Sequence, residues 1–306
     1  MAVRPRRRPS GHQHIFLSLP ETRYALMLSH RKRAWTPIAI LASALIATAC
    51  SSPQQTPAPE SGDASSTVGT ALTPALDHVH GLHLDAEGRV LAGTHTGLFV
   101  LNPDGATTRV GDADDDFMGL TGAPGTDNLY ASGHPGPSSS APNPLGLIES
   151  VDGGQSWATK SLSGEVDFHA LTTDGNTLVG FDTANGIRTS TDSGVSWTDG
   201  IEMAARALAI TDEGIWATTA GGLQLSTDIG RTFASVPAAP ELLLISAAED
   251  GTLWGIDTDG TAWRKNVNDD EWQQGPVVGD VEAIIAADQD TAYAADGRSF
   301  HTLTIP

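Results

Sequence analysis

From about residue 71 onward, apolar and polar residues alternate over runs of four to six positions, and Gly, Asp, Asn and Pro cluster between the runs. Alternation with period two puts one set of side chains on one face of an extended strand, so the pattern predicts short β-strands joined by turns. No stretch keeps the three-and-four spacing of an amphipathic helix. The class expected is all-β, as a sandwich, barrel or propeller.

A short opening motif then recurs, x-[Gly/Ala/Leu]-[Leu/Ile]. It stands at His80-Gly81-Leu82, Met118-Gly119-Leu120, His169-Ala170-Leu171, Arg206-Ala207-Leu208, Leu243-Leu244-Ile245 and Glu282-Ala283-Ile284. The spacings are 38, 51, 37, 37 and 39 residues, and the long one holds an insertion rich in Pro, Ser and Gly, Gly133 to Pro144. A repeat of this length is one blade of a β-propeller, a four-stranded sheet. Six units predict a six-bladed propeller over 71–306, with seven blades as the alternative. The last unit, from Glu282, has residues for about three strands. The segment Thr70 to Leu76, upstream of the first unit, is expected to supply its outer strand and close the ring, which removes exposed sheet edges.

A second repeat lies inside the first. Ser150-Val151-Asp152-Gly153-Gly154-Gln155-Ser156-Trp157 returns as Ser190-Thr191-Asp192-Ser193-Gly194-Val195-Ser196-Trp197 and as Ser226-Thr227-Asp228-Ile229-Gly230-Arg231-Thr232-Phe233, with starts 40 and 36 residues apart. The chemistry of S-x-D-x-G-x-x-[W/F] is that of a turn. Ser150, Ser190 and Ser226 and Asp152, Asp192 and Asp228 can bond nearby backbone groups. Gly154, Gly194 and Gly230 tolerate positive φ. Trp157, Trp197 and Phe233 can bury large rings between sheets.

These motifs resemble the BNR/Asp-box repeats of sialidase-like and sortilin-like propellers. The order of features from His78 through Gly133-His134-Pro135 to Asp167-Phe168-His169 is also similar to bacterial lipoproteins labelled glycosyl hydrolase or exo-sialidase. The resemblance implies that the boxes lie between third and fourth strands, on the face opposite the usual binding site, and so are structural. True sialidases need three arginines, a Tyr–Glu pair and an Asp. The folded part here has seven arginines, of which only Arg206 stands at a strand opening, so a true sialidase is not expected.

The amino-terminal part reads as an export leader. Residues 1–26 carry five arginines without a pattern; from Met27, read here as the true start, Arg31-Lys32-Arg33 precedes an apolar run, Trp35 to Ala49, and then Cys50. That is the order of a bacterial secretory signal, too short to cross a bilayer as a membrane span. Ile46-Ala47-Thr48-Ala49-Cys50 resembles a lipobox, so Cys50, the only cysteine in the chain, is the expected lipidation site. Residues 1–49 thus form the signal region and 50–70 a Ser/Pro/Thr-rich tether. The expected location is the outer face of the plasma membrane, as a monomer.

From Cys50 onward 36 acidic side chains face 9 basic ones. A surface of that sign repels nucleic acid and favours cations. The strand openings and the loops after second strands should share one end of the central channel. Five of the seven histidines after Cys50 fall there: His78, His80, His95, His134 and His169, with Met118 among them. Imidazole suits zinc or copper, and a thioether shifts the preference toward copper. The first expectation is therefore a ligand-binding propeller with a metal site made from these six residues. The second is a glycoside hydrolase using carboxylates at the same mouth, with Asp116, Asp167 and Glu282 as candidate catalytic groups. The third is a protein-binding scaffold that offers the 133–144 insertion as its contact loop. A small ligand, a metal or a glycan is the expected partner of the histidine-rich face.

Overall fold

The computed structural model describes residues 69–305 except 268 and 270. The leader, Cys50 and the tether lie outside the described residues. The strand β1 (Thr70–Ala71) comes first. Blade 1 holds β2 (Val79–Leu84), β3 (Val90–Thr94), β4 (Gly97–Leu101) and β5 (Thr107–Val110). Blade 2 holds β6 (Asp116–Gly122), β7 (Leu129–His134), β8 (Leu147–Ser150) and β9 (Ala158–Ser161). Blade 3 is β10 (Phe168–Thr173), β11 (Leu178–Asp182), β12 (Gly186–Ser190) and β13 (Thr198–Asp199); blade 4 is β14 (Ala207–Thr211), β15 (Gly214–Thr219), β16 (Gly222–Ser226) and β17 (Ala234–Ser235). Blade 5 is β18 (Leu242–Ala247), β19 (Leu253–Asp257), β20 (Thr261–Lys265) and β21 (Gln273–Val277). Blade 6 takes β22 (Ala283–Ala286), β23 (Thr291–Ala295), β24 (Ser299–Thr304) and then β1. The fold is a six-bladed β-propeller with no helix among the described residues, as the six repeats predict.

The first strand of each blade lies innermost. β2, β6, β10, β14, β18 and β22 each contact the next, and β22 returns to β2. Six hydrophobic clusters fill the six gaps between neighbouring blades. Leu91, Leu98, Phe117 and Leu129 pack between blades 1 and 2, and Tyr130, Leu147, Phe168 and Leu178 between 2 and 3. Val179, Ile187, Leu208 and Ile215 follow, then Trp216, Leu223, Leu242 and Leu253. Trp254, Ile256, Ile284 and Leu303 pack between blades 5 and 6, and Leu72, Val79, Val90 and Phe300 between 6 and 1. The inner strands thus bury both faces, one against the blade before and one against the blade after, while outer strands such as β13 and β17 are exposed.

Closure works as the short last repeat predicts. Thr70 pairs with Phe300 and Ala71 with Ser299. The segment then crosses to the other end of the ring. Leu72 N donates to Arg298 O and Leu76 N to Gly297 O, both at 2.8 Å, whereas Thr73 N donates to Gly105 O at 2.8 Å and Thr107 N to Thr73 O at 3.1 Å. One stretch of chain therefore bonds to blade 6 and to the outer hairpin of blade 1, with Leu72 buried between them.

The three S-x-D-x-G turns join the third strand to the fourth in blades 2, 3 and 4. Each is wired alike. Ser150 Oγ donates to Asp152 Oδ1 and accepts from Gly154 N, both at 2.8 Å, while Asp152 accepts from Ser156 N at 2.9 Å and Ser156 Oγ at 2.6 Å. The Ser196 and Thr232 hydroxyls, then their backbone N–H groups, hold the Asp192 and Asp228 carboxyls down to about 2. The rings complete the blade interfaces: Trp157 meets Phe117 at 4.9 Å between centroids and Trp197 meets Phe168 at 4.7 Å. Gly153 N donates to Asp127 O and Ser193 N to Asn176 O, so the turns sit beside the loops between first and second strands. This is the face opposite the strand openings.

Deletion of residues 69–77 is expected to lower the melting temperature sharply, and Leu72→Ala alone to cost about 2–5 kcal/mol. Thermal melts followed by circular dichroism check both; an unchanged midpoint for the deletion would refute the closure. Ser190→Ala strips the buried Gly194 N of its acceptor, at a cost of about 1–3 kcal/mol, or about 2–4 °C per kcal/mol in a domain of this size.

Candidate metal centre at the channel mouth

A cavity of about 700 Å³ runs along the channel between the innermost strands. One mouth is lined by His78, His80, Met118, His169, Arg206 and Glu282, and the other end by Asp174, Asp212, Glu249 and Asp250. The histidines thus sit on the face away from the S-x-D-x-G turns.

Local backbone explains how the opening residues reach the mouth. Val79 pairs with Thr94 and Gly81 with Gly93, so His80 is an extra residue in the ladder. The same one-residue bulge recurs at His169, between Phe168 and Ala170, and at Leu243, between Leu242 and Leu244. In β6 it falls between Asp116 and Gly119, across Phe117 and Met118. A bulge bends the strand and re-aims a side chain, and sequence alternation alone does not reveal it. Val79, Phe117 and Phe168, beside the bulges, stay fully buried in the blade interfaces.

Glycine sets how closely the first three blades approach. A Cβ at Gly81 would lie 2.8 Å from Leu120 O, and one at Gly119 would lie 2.5 Å from Phe168 O. Any larger residue would push blades 1, 2 and 3 apart at the height of the histidines.

The structure brings three of the expected groups together at one point. His95 Nδ1 lies 3.0 Å from Asp116 Oδ1. His80 Nε2 lies 3.3 Å from that nitrogen and 3.6 Å from that oxygen. With the proton of neutral His80 on Nδ1, a single proton on His95 Nδ1 serves Asp116 or His80, not both, and the three atoms then hold more electron pairs than protons can bridge. His80 comes from the bulge of blade 1, His95 from the loop after β3, and Asp116 from the start of β6. Burial, then the neighbouring His78 and His95, lower the His80 pKa to about 4, against a smaller opposing pull from Asp116. The ring is therefore neutral near pH 7, the form that can ligate a metal.

His78 stands beside this group rather than in it. Its ring lies edge-on to His80 at 4.7 Å and stacks at 28° on His95 at 5.8 Å. Its Nδ1 donates to Glu282 Oε1 at 2.6 Å, and Glu282 Oε2 accepts from Val79 N at 2.8 Å. A carboxylate of blade 6 thus fixes a histidine of blade 1 across the ring closure. His134 and His169 form a separate group around Asp167, with Nε2–Oδ2 distances of 3.3 and 3.6 Å. The six residues expected to share one site are thus divided, and Met118 lines the same cavity.

The three carboxylates expected to act in catalysis, Asp116, Asp167 and Glu282, each face imidazoles. His83 lies elsewhere, buried, with Nε2 donating to Thr126 O at 2.8 Å, and His301 is buried in blade 6. Asn143 escaped sequence reading. It sits in the insertion, and its Oδ1 accepts from His134 Nδ1 at 2.8 Å. The insertion is itself tied down, with Ser138 Oγ donating to Asp114 Oδ1 at 2.6 Å and Gly136 N to Asp115 Oδ1 at 2.8 Å. The longer spacing between units and the Pro-, Ser- and Gly-rich composition mark the insertion in the sequence, but not the contact of Asn143 with His134.

The structure is similar to several solved propellers. YCF48 bound to a D1 peptide matches with a TM-score of 0.50 and 14% identity, covering 80% of this chain and 100% of that one. The Niastella koreensis GH74 enzyme matches with a TM-score of 0.51 and 15% identity, covering 77% of this chain and 46% of that one. The Xanthomonas campestris gluconolactonase XC5397 matches with a TM-score of 0.58 and 12% identity, covering 76% of this chain and 87% of that one. At these identities the likeness shows the propeller fold alone. No protein-family model and no curated protein matches the chain.

Burial lowers the pKa of both His80 and His83 from the ordinary value of 6.5. The unfolded chain therefore binds more protons than the folded one just below pH 6.5, and stability falls as pH drops from there toward about 4. Melting temperatures of metal-free protein between pH 7 and 4.5 are expected to show this slope, and His80→Asn to flatten part of it.

Proposed function

We propose that this chain is an extracytoplasmic propeller, lipid-anchored through Cys50, that binds a transition-metal ion with His80, His95 and Asp116 at its channel mouth. The observation that carries the reading is the donor triangle, with sides of 3.0, 3.3 and 3.6 Å. A tetrahedral ion with ligand bonds of 2.0–2.1 Å has ligand-to-ligand edges of about 3.3–3.4 Å. The side chains thus already stand about as far apart as a bound ion would require. A neutral His80 and the acidic surface favour a cation over an anion. Two imidazoles and a carboxylate suit Zn(II); Met118 in the same cavity supports copper as the alternative. The three wired turns support kinship with the Asp-box propellers, and their position on the far face assigns them to the scaffold.

The test is a calorimetric titration of the full chain, purified without a tag, with Zn(II) and with Cu(I). Uptake of at least one equivalent is expected, and His80→Ala/His95→Ala is expected to weaken the site built by these residues by about 100-fold or more. Equal uptake by the double variant would remove the assignment.

A further inference from the structure

We propose that the next blade step carries a second cation site, built by His134, Asp167 and His169, which takes a divalent transition metal. The proposal extends the reading of the channel mouth as a metal-binding face, but its residues are its own.

The first support is positional equivalence. His95 directly follows the second strand of blade 1 and His134 ends the second strand of blade 2, and Asp116 and Asp167 both stand two residues before the opening position of the next blade. The contact repeats, at 3.0 Å between His95 Nδ1 and Asp116 Oδ1 and 3.3 Å between His134 Nε2 and Asp167 Oδ2. The third ligand changes sides, because Met118 holds the opening position between the two groups. In the first it is His80 of the preceding blade; in the second it is His169 of the following one.

The second support is the proton count. His134 Nδ1 lies 2.8 Å from Asn143 Oδ1, and His169 Nδ1 lies 3.2 Å from Asp167 O. Amide oxygens only accept, so both Nδ1 atoms carry the proton. With no second proton each ring presents a lone pair at Nε2, and both Nε2 atoms face Asp167 Oδ2, at 3.3 and 3.6 Å. Two imidazoles thus share one carboxylate oxygen. Metal-binding histidines characteristically donate their other ring nitrogen to an oxygen, as both do here.

The third support is Asp167 itself. Its Oδ1 is buried and has no hydrogen-bond partner. A carboxylate with one oxygen unbonded and the other facing two lone pairs is poorly satisfied unless a cation arrives. Each distance matches a ligand-to-ligand separation around an ion about 2.0–2.2 Å from its donors, but the three donor atoms do not all lie within 4.8 Å of one another, so the two rings must turn toward each other to share the ion. The partial exposure of the His134 and His169 rings leaves them room to close on it. Two imidazoles and one carboxylate suit zinc or another borderline divalent metal.

The test uses the full chain with Zn(II) as the only probe, read by calorimetry and by metal analysis after gel filtration. Two equivalents are expected for the unaltered protein and one for each of three variants: His80→Ala/His95→Ala, His134→Ala/His169→Ala and Asp167→Asn. One equivalent, lost in His80→Ala/His95→Ala and unchanged in the other two, overturns the second site and leaves the first standing. One equivalent with the reverse pattern supports the second site and removes the first. No uptake overturns both. Because a variant can misfold, ring 15N spectra of the unaltered protein give a separate measure. His134 and His169 are expected as Nδ1–H tautomers at pH 7.5 without metal, with both Nε2 resonances moving on addition of Zn(II). Imidazolium spectra that Zn(II) does not alter would mean simple ion pairs with Asp167 and overturn the site.

Discussion

A ring of sheets has to be closed, and here one short segment does it. The first strand completes the last blade, while the residues after it bond to the outer hairpin of the first. Without that clasp, β24 would present an unpaired edge and the interface between blades 6 and 1 would lose Leu72. The site depends on the same closure. Glu282 of blade 6 holds His78 and the Val79 N–H of blade 1, so the order of the channel mouth rests on contacts between residues 204 and 203 positions apart in sequence.

The two ends of the channel have divided their tasks by chemistry. On one face, Ser, Asp and Gly spend their hydrogen bonds on one another and on backbone groups, leaving little unsatisfied. That wiring fixes the outer strands and presses Trp157 and Trp197 into the blade interfaces. On the other face, imidazoles converge on the carboxylates of Asp116, Asp167 and Glu282. The first arrangement is complete by itself; the second favours a positive ligand.

Bulges connect the scaffold to this chemistry. The extra residue lets buried Val79 and Phe168 stay in the interfaces while His80 and His169 turn to the channel. Gly81 and Gly119 then let the blades approach closely enough for donors from separate repeats to come within about one ligand-to-ligand distance. The geometry of the histidine–carboxylate clusters is thus a by-product of how three adjacent blades pack.

Period and turn chemistry are local, so the chain itself determined the strand class, the six units, the closing segment, the wired turns and the face on which five histidines gather. The S-x-D-x-G wiring spans only seven residues in each copy, which is why it could be read in full. Only the tertiary structure decided which histidines meet. His80, His95 and Asp116 come from three segments, and their separations depend on bulges and on the approach of neighbouring blades, neither of which leaves a periodic trace. The division of five histidines into a group around Asp116 and another around Asp167, the hold of Glu282 on His78, and the role of Asn143 in orienting His134 all cross blade or loop boundaries. Distances of that kind are set by the curvature of the closed ring, and no single stretch of sequence contains it.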